Sequence, residues 1–85
     1  MTLLAFPNPF SATATIRFSL PEEGEYELSL YDNQQVHKVF YHRGRARAGE
    51  LHAIDVNGSG LARGLYVARL QTKNSTKNLR LVCDR

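Results

Sequence analysis

Polar and apolar residues alternate along most of this chain with a period of two. In T-I-R-F-S-L, Thr15 to Leu20, the residues Ile16, Phe18 and Leu20 share one face while Thr15, Arg17 and Ser19 share the other. Successive side chains of a strand point to opposite faces, so this spacing predicts a half-buried strand. Pro21-Glu22-Glu23-Gly24 has the chemistry of a turn, and E-Y-E-L-S-L-Y, Glu25 to Tyr31, then repeats the pattern with Tyr26, Leu28 and Leu30 inward. Leu3 to Phe6 reads as the first strand. Val36 to Tyr41 reads as the fourth, where a bulge near His37-Lys38 would bring both Val36 and Val39 inward. A polar loop is expected over His42 to Gly49. A strand follows with His52, Ile54 and Val56 on one face, then a turn at Asn57-Gly58-Ser59-Gly60. Gly64 to Thr72, a hairpin loop at Lys73-Asn74-Ser75, and Thr76 to Val82 complete the set. No segment carries a sustained 3.6-residue apolar stripe. Seven short strands with regular turn signals predict an all-β, antiparallel sandwich. Its core is expected to include Phe18, Leu28, Leu30, Val39, Ile54, Val56, Leu61, Tyr66, Leu70, Leu79 and Leu81.

Length adds one constraint: 85 residues hold a single small domain. With 42% hydrophobic and 22% charged residues, the chain has an ordinary globular composition and not that of a disordered tail. Its longest apolar runs, Leu3 to Phe6 and Leu65 to Ala68, fall far short of the roughly twenty residues of a membrane-spanning helix, so membrane insertion is not expected. A formal charge of +3 permits anionic partners without requiring one. The single cysteine, Cys83, makes neither an internal disulfide nor a structural zinc site.

Reactive chemistry is sparse. Glu25 and Glu27 share the solvent side of one strand, where paired carboxylates are ordinarily just solvated, and general acid–base catalysis needs a cleft that shifts a pKa. His37, His42 and His52 fall on different elements with no metal-ligand spacing. No nucleophile elbow or Cys–His signature is present. The expectation is a protein that is not an enzyme and carries no metal or cofactor. The basic run His42-Arg43-Gly44-Arg45-Ala46-Arg47 has the charge to grip phosphates or an anionic glycan. Read structurally, it is a solvated loop. No aromatics interleave with its arginines for base stacking, so nucleic acid is not an expected partner.

Two strings are more specific. In Phe6-Pro7-Asn8-Pro9-Phe10, both prolines lack ladder donors, which excludes a central strand. A rigid extended segment is expected there, with Phe6 and Phe10 packed against the edge of the sandwich. In Ser59-Gly60-Leu61-Ala62-Arg63-Gly64-Leu65-Tyr66, the glycines permit a tight loop that plugs Leu61 into the core and leads Tyr66 into a strand.

Together with Leu30-Tyr31-Asp32, Ala48-Gly49-Glu50 and a final strand bearing Lys77 and Arg80, these strings resemble the type A C-terminal sorting domain of the Bacteroidota type IX secretion system (the Por secretion system). The resemblance runs from about Phe6 to Val82. It departs at Gln35, where the family usually has a glycine three residues after the aspartate, so that either the turn differs or the next strand is shifted. It departs again at the end, where Cys83-Asp84-Arg85 replaces a Lys/Arg-rich tail. The resemblance implies an immunoglobulin-like sandwich and a non-catalytic secretion signal on a cargo N-terminal to it. Residues 1–5 would be linker or an artificial start, and 6–85 the domain. It further implies type IX translocon components and a surface sortase-like peptidase as partners, transit through the periplasm, and a final place at the outer-membrane surface or in the medium. The signal residues it points to are Pro7, Asn8, Pro9, Phe10, Asp32, Gly49, Gly60, Leu61, Gly64, Tyr66, Lys77 and Arg80. A second reading is an immunoglobulin-like or fibronectin-like carbohydrate-binding or spacer module of an extracellular enzyme. A row of exposed aromatics on one sheet face would mark it, and Tyr31, Phe40 and Tyr41 read as scattered.

Overall fold

The computed structural model describes residues 1–84. The alternating segments become seven strands: β1 (Thr2–Phe6), β2 (Thr13–Ser19), β3 (Gly24–Asp32), β4 (Lys38–Ala46), β5 (His52–Asn57), β6 (Gly64–Thr72) and β7 (Thr76–Cys83). A single 3-10 turn, Gly58–Gly60, follows β5. The strands form two antiparallel sheets in the orders β1-β2-β5 and β4-β3-β6-β7. They face each other as a sandwich, an arrangement compatible with an immunoglobulin-like fold. Thr2–Ala5, which the motifs placed on the linker side, pair with β2 and set Leu3 opposite Phe18.

Inward residues of both sheets make one core. Phe10, Ile16, Phe18, Leu20, Leu28, Leu30, Leu70 and Leu81 are its largest fully enclosed apolar side chains apart from Val56 and Cys83. Ile54, Leu61 and Leu79, expected in the core, are partly buried against it. Val39 is not in it: it is 40% exposed, and Val36 is 68% exposed. The expected bulge exists but lies at Val39 itself. Leu30 pairs with Phe40 and Tyr31 with Lys38, so Val39 has no partner across the ladder. The extra residue of a bulge is turned out of the pleat, and here that residue is the valine.

The basic run is also placed differently. His42–Ala46 is not a loop but the second half of β4, with Tyr26 opposite Gly44, Glu27 opposite Arg43 and Glu25 opposite Arg45. His42, Gly44 and Ala46 turn inward, and none of them registers as strongly apolar. His42 and Gly44 are polar or small because Tyr26 fills the space beneath them. A Cβ on Gly44 would lie 2.8 Å from the Tyr26 hydroxyl, which instead hydrogen-bonds to His42 Nε2 at 3.1 Å.

Candidate functional site

The β-strands reach about 30 Å when nine residues long, most of the molecule's 36 Å length, so its two ends are distinct surfaces. One end gathers the segment after β1, the β3–β4 turn, the loop between β5 and β6, and the end of β7. Both specific strings arrive here.

Asn8 ties the proline segment to β7 in the manner of a missing strand residue. Its side-chain amide donates to the Arg80 carbonyl at 2.9 Å, and its Oδ1 accepts from the Val82 N–H at 3.0 Å. Phe10 continues the contact through its backbone, donating to the Val82 carbonyl at 2.9 Å and accepting from the Asp84 N–H at 2.7 Å. The prolines cannot supply such donors, so the asparagine side chain does. The segment is not extended as expected: the Phe6–Pro7 and Asn8–Pro9 bonds are both cis, and the chain bends over the sheet edge. The two phenylalanines also part. Phe10 is 1% exposed in the core, whereas Phe6 is exposed with the Arg17 guanidinium 5.0 Å above its ring.

The second string meets the first through Phe10. Gly58 donates to the Ala12 carbonyl at 2.7 Å, and a Cβ there would stand 2.7 Å from the Phe10 ring. Gly58, not Gly60, is therefore the residue whose missing side chain the packing needs. Gly60 would carry a Cβ in open space, and its φ is not positive. Only the Asn-Gly turn pair hinted at Gly58 in the sequence. Gly64 does adopt a positive φ, +149, and pairs with Cys83 at the start of β6. Leu61 sits partly buried against the core, as its plug role anticipates. Tyr66 is buried, and its hydroxyl donates to the Ala62 carbonyl four residues upstream at 2.5 Å. That bond is similar to the tyrosine corner of immunoglobulin sandwiches. Burial, reinforced by the nearby Cys83 and Asp32, holds the Tyr66 hydroxyl above its ordinary pKa. Arg63 and Asp84 form an exposed ion pair at 3.8 Å across the end.

Asp32 pairs with Tyr66 from the neighbouring strand and organises the β3–β4 turn. Its Oδ1 accepts from the N–H groups of Val36 at 3.0 Å and His37 at 3.4 Å, and its Oδ2 meets His37 Nδ1 at 3.1 Å. Desolvation works against the charged carboxylate, but these hydrogen bonds and the His37 ring outweigh it and lower the pKa. Gln35, standing where the family usually has glycine, takes the left-handed φ of +57. The residue type departs while the backbone adopts a glycine-like conformation, and the strand that follows also slips by one at Val39.

Two of the remaining expected residues, Gly49 and Lys77, do not join this end. Gly49, with φ +74, donates to the Leu20 carbonyl at 2.8 Å, at the opposite end. Lys77 is there too, with Nζ 3.2 Å from the Met1 carbonyl. Arg80 lies on the outer face of the four-stranded sheet, paired with Val67. A groove of about 990 Å³ also opens at the opposite end, beside Glu22, Glu23 and Lys73, and none of the motif residues lines it. The motif end is thus a constellation of loops. Among the described residues, no group of three or more His, Cys, Asp or Glu is placed to hold a metal ion.

Comparison with known proteins agrees with this geometry. No curated protein matches the chain. The model of one family, the secretion system C-terminal sorting domain, matches residues 4–84. With both specific strings docked together at one end of a seven-stranded sandwich and the match spanning nearly the whole chain, the protein belongs to the family of C-terminal sorting domains of the type IX secretion system.

Proposed function

We propose that this domain is read by the outer-membrane translocon as a folded shape, chiefly at the end where Asn8, Phe10, Gly58, Leu61, Gly64 and Tyr66 converge. Sorting domains of this family are non-catalytic C-terminal signals that send a cargo to the cell surface or beyond. The observation that supports the finer reading is the docking of Asn8 and Phe10 on β7 with Gly58 against the Phe10 ring. A transporter of unrelated cargoes must recognise something common to all. Loops shaped by Pro, Gly and buried aromatics offer the same backbone surface whatever precedes them. In this reading the cargo is joined beyond Met1 and crosses the periplasm first, and the chain has no catalytic activity of its own. A sortase-like peptidase then acts on the N-terminal side. In this reading the chain enters β1 at the end opposite the recognition surface, where Lys77 donates to the Met1 carbonyl.

The test is sufficiency. Residues 1–85 fused behind an exported reporter should carry it out of cells that possess the type IX machinery, and not out of cells that lack it. A folded, intact fusion that stays in the periplasm would overturn the reading.

A further inference from the structure

The outer face of the four-stranded sheet is divided by charge. Toward the β2–β3 turn, Arg43 stands opposite Glu27 and Arg45 opposite Glu25, and Arg45 also reaches Glu23 at 3.4 Å. The two arginines of the basic run thus stand by register against carboxylates of their own sheet, and among the described residues Arg45 alone of the two is within ion-pair distance of one. Toward the motif end the same face carries Lys38, Arg69 and Arg80, and among the described residues none of them has a carboxylate within ion-pair distance.

Register places these cations in adjacent rows. One runs Tyr41, Ser29, Arg69, Asn78 across the strands, and the next runs Lys38, Tyr31, Val67, Arg80. Lys38 Nζ lies 4.6 Å from the Tyr41 ring centroid and 5.8 Å from that of Tyr31, and the Arg69 guanidinium lies 5.0 Å from the Tyr31 centroid. Arg69 is held at three points: by the ring, by Nε donating to Asn78 Oδ1 at 2.9 Å, and by Nη2 donating to Gln35 Oε1 at 2.5 Å. Gln35 makes that bond from a left-handed backbone, a conformation unfavourable to a non-glycine residue. Among the described residues Arg69's side-chain hydrogen-bond partners, Asn78 and Gln35, are neutral, so its charge is oriented but not neutralised by them.

We propose that Lys38 and Arg69, held over the Tyr31 ring, form with Arg80 on the same sheet face a binding site for a phosphate group. An oriented guanidinium beside a flexible ammonium suits a compact oxyanion. The phosphate belongs either to a small soluble ligand or to a membrane headgroup. The two sources differ in whether the isolated ion suffices.

The test uses the whole 85-residue chain. In NMR titrations with inorganic phosphate at constant ionic strength, the Arg69 Nε–H and the Tyr31 and Lys38 amides should shift saturably. Lys38→Gln with Arg69→Gln should weaken binding by roughly tenfold or more, the scale of one lost charge-assisted hydrogen bond. Arg43→Gln with Arg45→Gln should leave it unchanged, and thermal melts confirm that each variant folds. Phosphatidylglycerol vesicles, against phosphatidylcholine vesicles, form the second arm. Retention on the anionic vesicles without saturable binding of free phosphate assigns the site to a headgroup, and the converse assigns it to a soluble ligand. The proposal is overturned if neither probe binds, or if the Arg43/Arg45 pair of substitutions weakens binding as much as the Lys38/Arg69 pair.

Discussion

At the residue scale, one side chain often substitutes for backbone. Asn8 stands in for a strand residue between two prolines, and Asp32 collects the N–H groups of a turn that no ladder satisfies. The Asp32 carboxylate has a pH signature with a definite sign. Its pKa is lowered from the ordinary 3.8 in the folded state. Its contribution is therefore complete above that value and is lost as pH falls through the lower folded pKa. Below about pH 4, the melting temperature of the native chain should fall more steeply than that of Asp32→Asn, which keeps the acceptor oxygen but cannot titrate. Parallel profiles for the two proteins would show that the charge of Asp32 does not stabilise the fold.

Packing between elements assigns the glycines their roles. The loop between β5 and β6 has glycines at 58, 60 and 64, and from sequence they look alike. Phe10 makes them unequal. Its ring is enclosed in the core and cannot swing aside, so a methyl group at Gly58, 2.7 Å from the ring and 3.2 Å from the Ala12 carbonyl, has to displace both. Overpacking of this kind costs about 1–3 kcal/mol. In a domain of this size, 1 kcal/mol lowers the melting temperature by roughly 4–8 °C. Gly58→Ala should melt several degrees below the native chain. Gly60→Ala, which meets nothing within 4 Å, should stay within about 0.5 kcal/mol of it. Equal melting temperatures for the two variants would refute the contact.

For the molecule as a whole, stability and export become separable at neighbouring positions. Gly64 begins β6 with φ +149, where a β-branched side chain is strained by about 1–3 kcal/mol. A small domain has on the order of 5 kcal/mol in total. Gly64→Val should therefore reduce secretion by unfolding the domain. Among the described residues the Arg63 side chain makes the exposed 3.8 Å pair with Asp84, the kind of contact worth about 0–1 kcal/mol. Arg63→Ser should leave melting and export nearly unchanged. Melts of both purified variants beside their secretion yields decide between scaffold and contact surface. A Gly64→Val domain that melts normally but is not exported would make this loop a direct contact. An Arg63→Ser domain that is stable but retained would do the same for the arginine.

Period-two alternation by itself determined most of the strands, since burial of one sheet face requires it, and the Pro- and Gly-bearing strings pointed to the family. Both are local properties of the chain. Other features depend on residues far apart in sequence, and only the tertiary structure decided them. Val39 looks like a core residue until the pairing of β3 with β4 makes it the odd one out. His42–Ala46 looks like a loop until Tyr26, on the adjacent strand, shows why His42 and Gly44 are polar or small. The arginines at 43 and 45 look free until register sets them against Glu27 and Glu25. Lys38, Arg69 and Arg80, scattered over more than forty positions, stand on one face because three strand pairings bring them there, and among the described residues none has a carboxylate within ion-pair distance. Alternation says which side of a sheet a residue faces. Only the pairing of strands says what it faces across it.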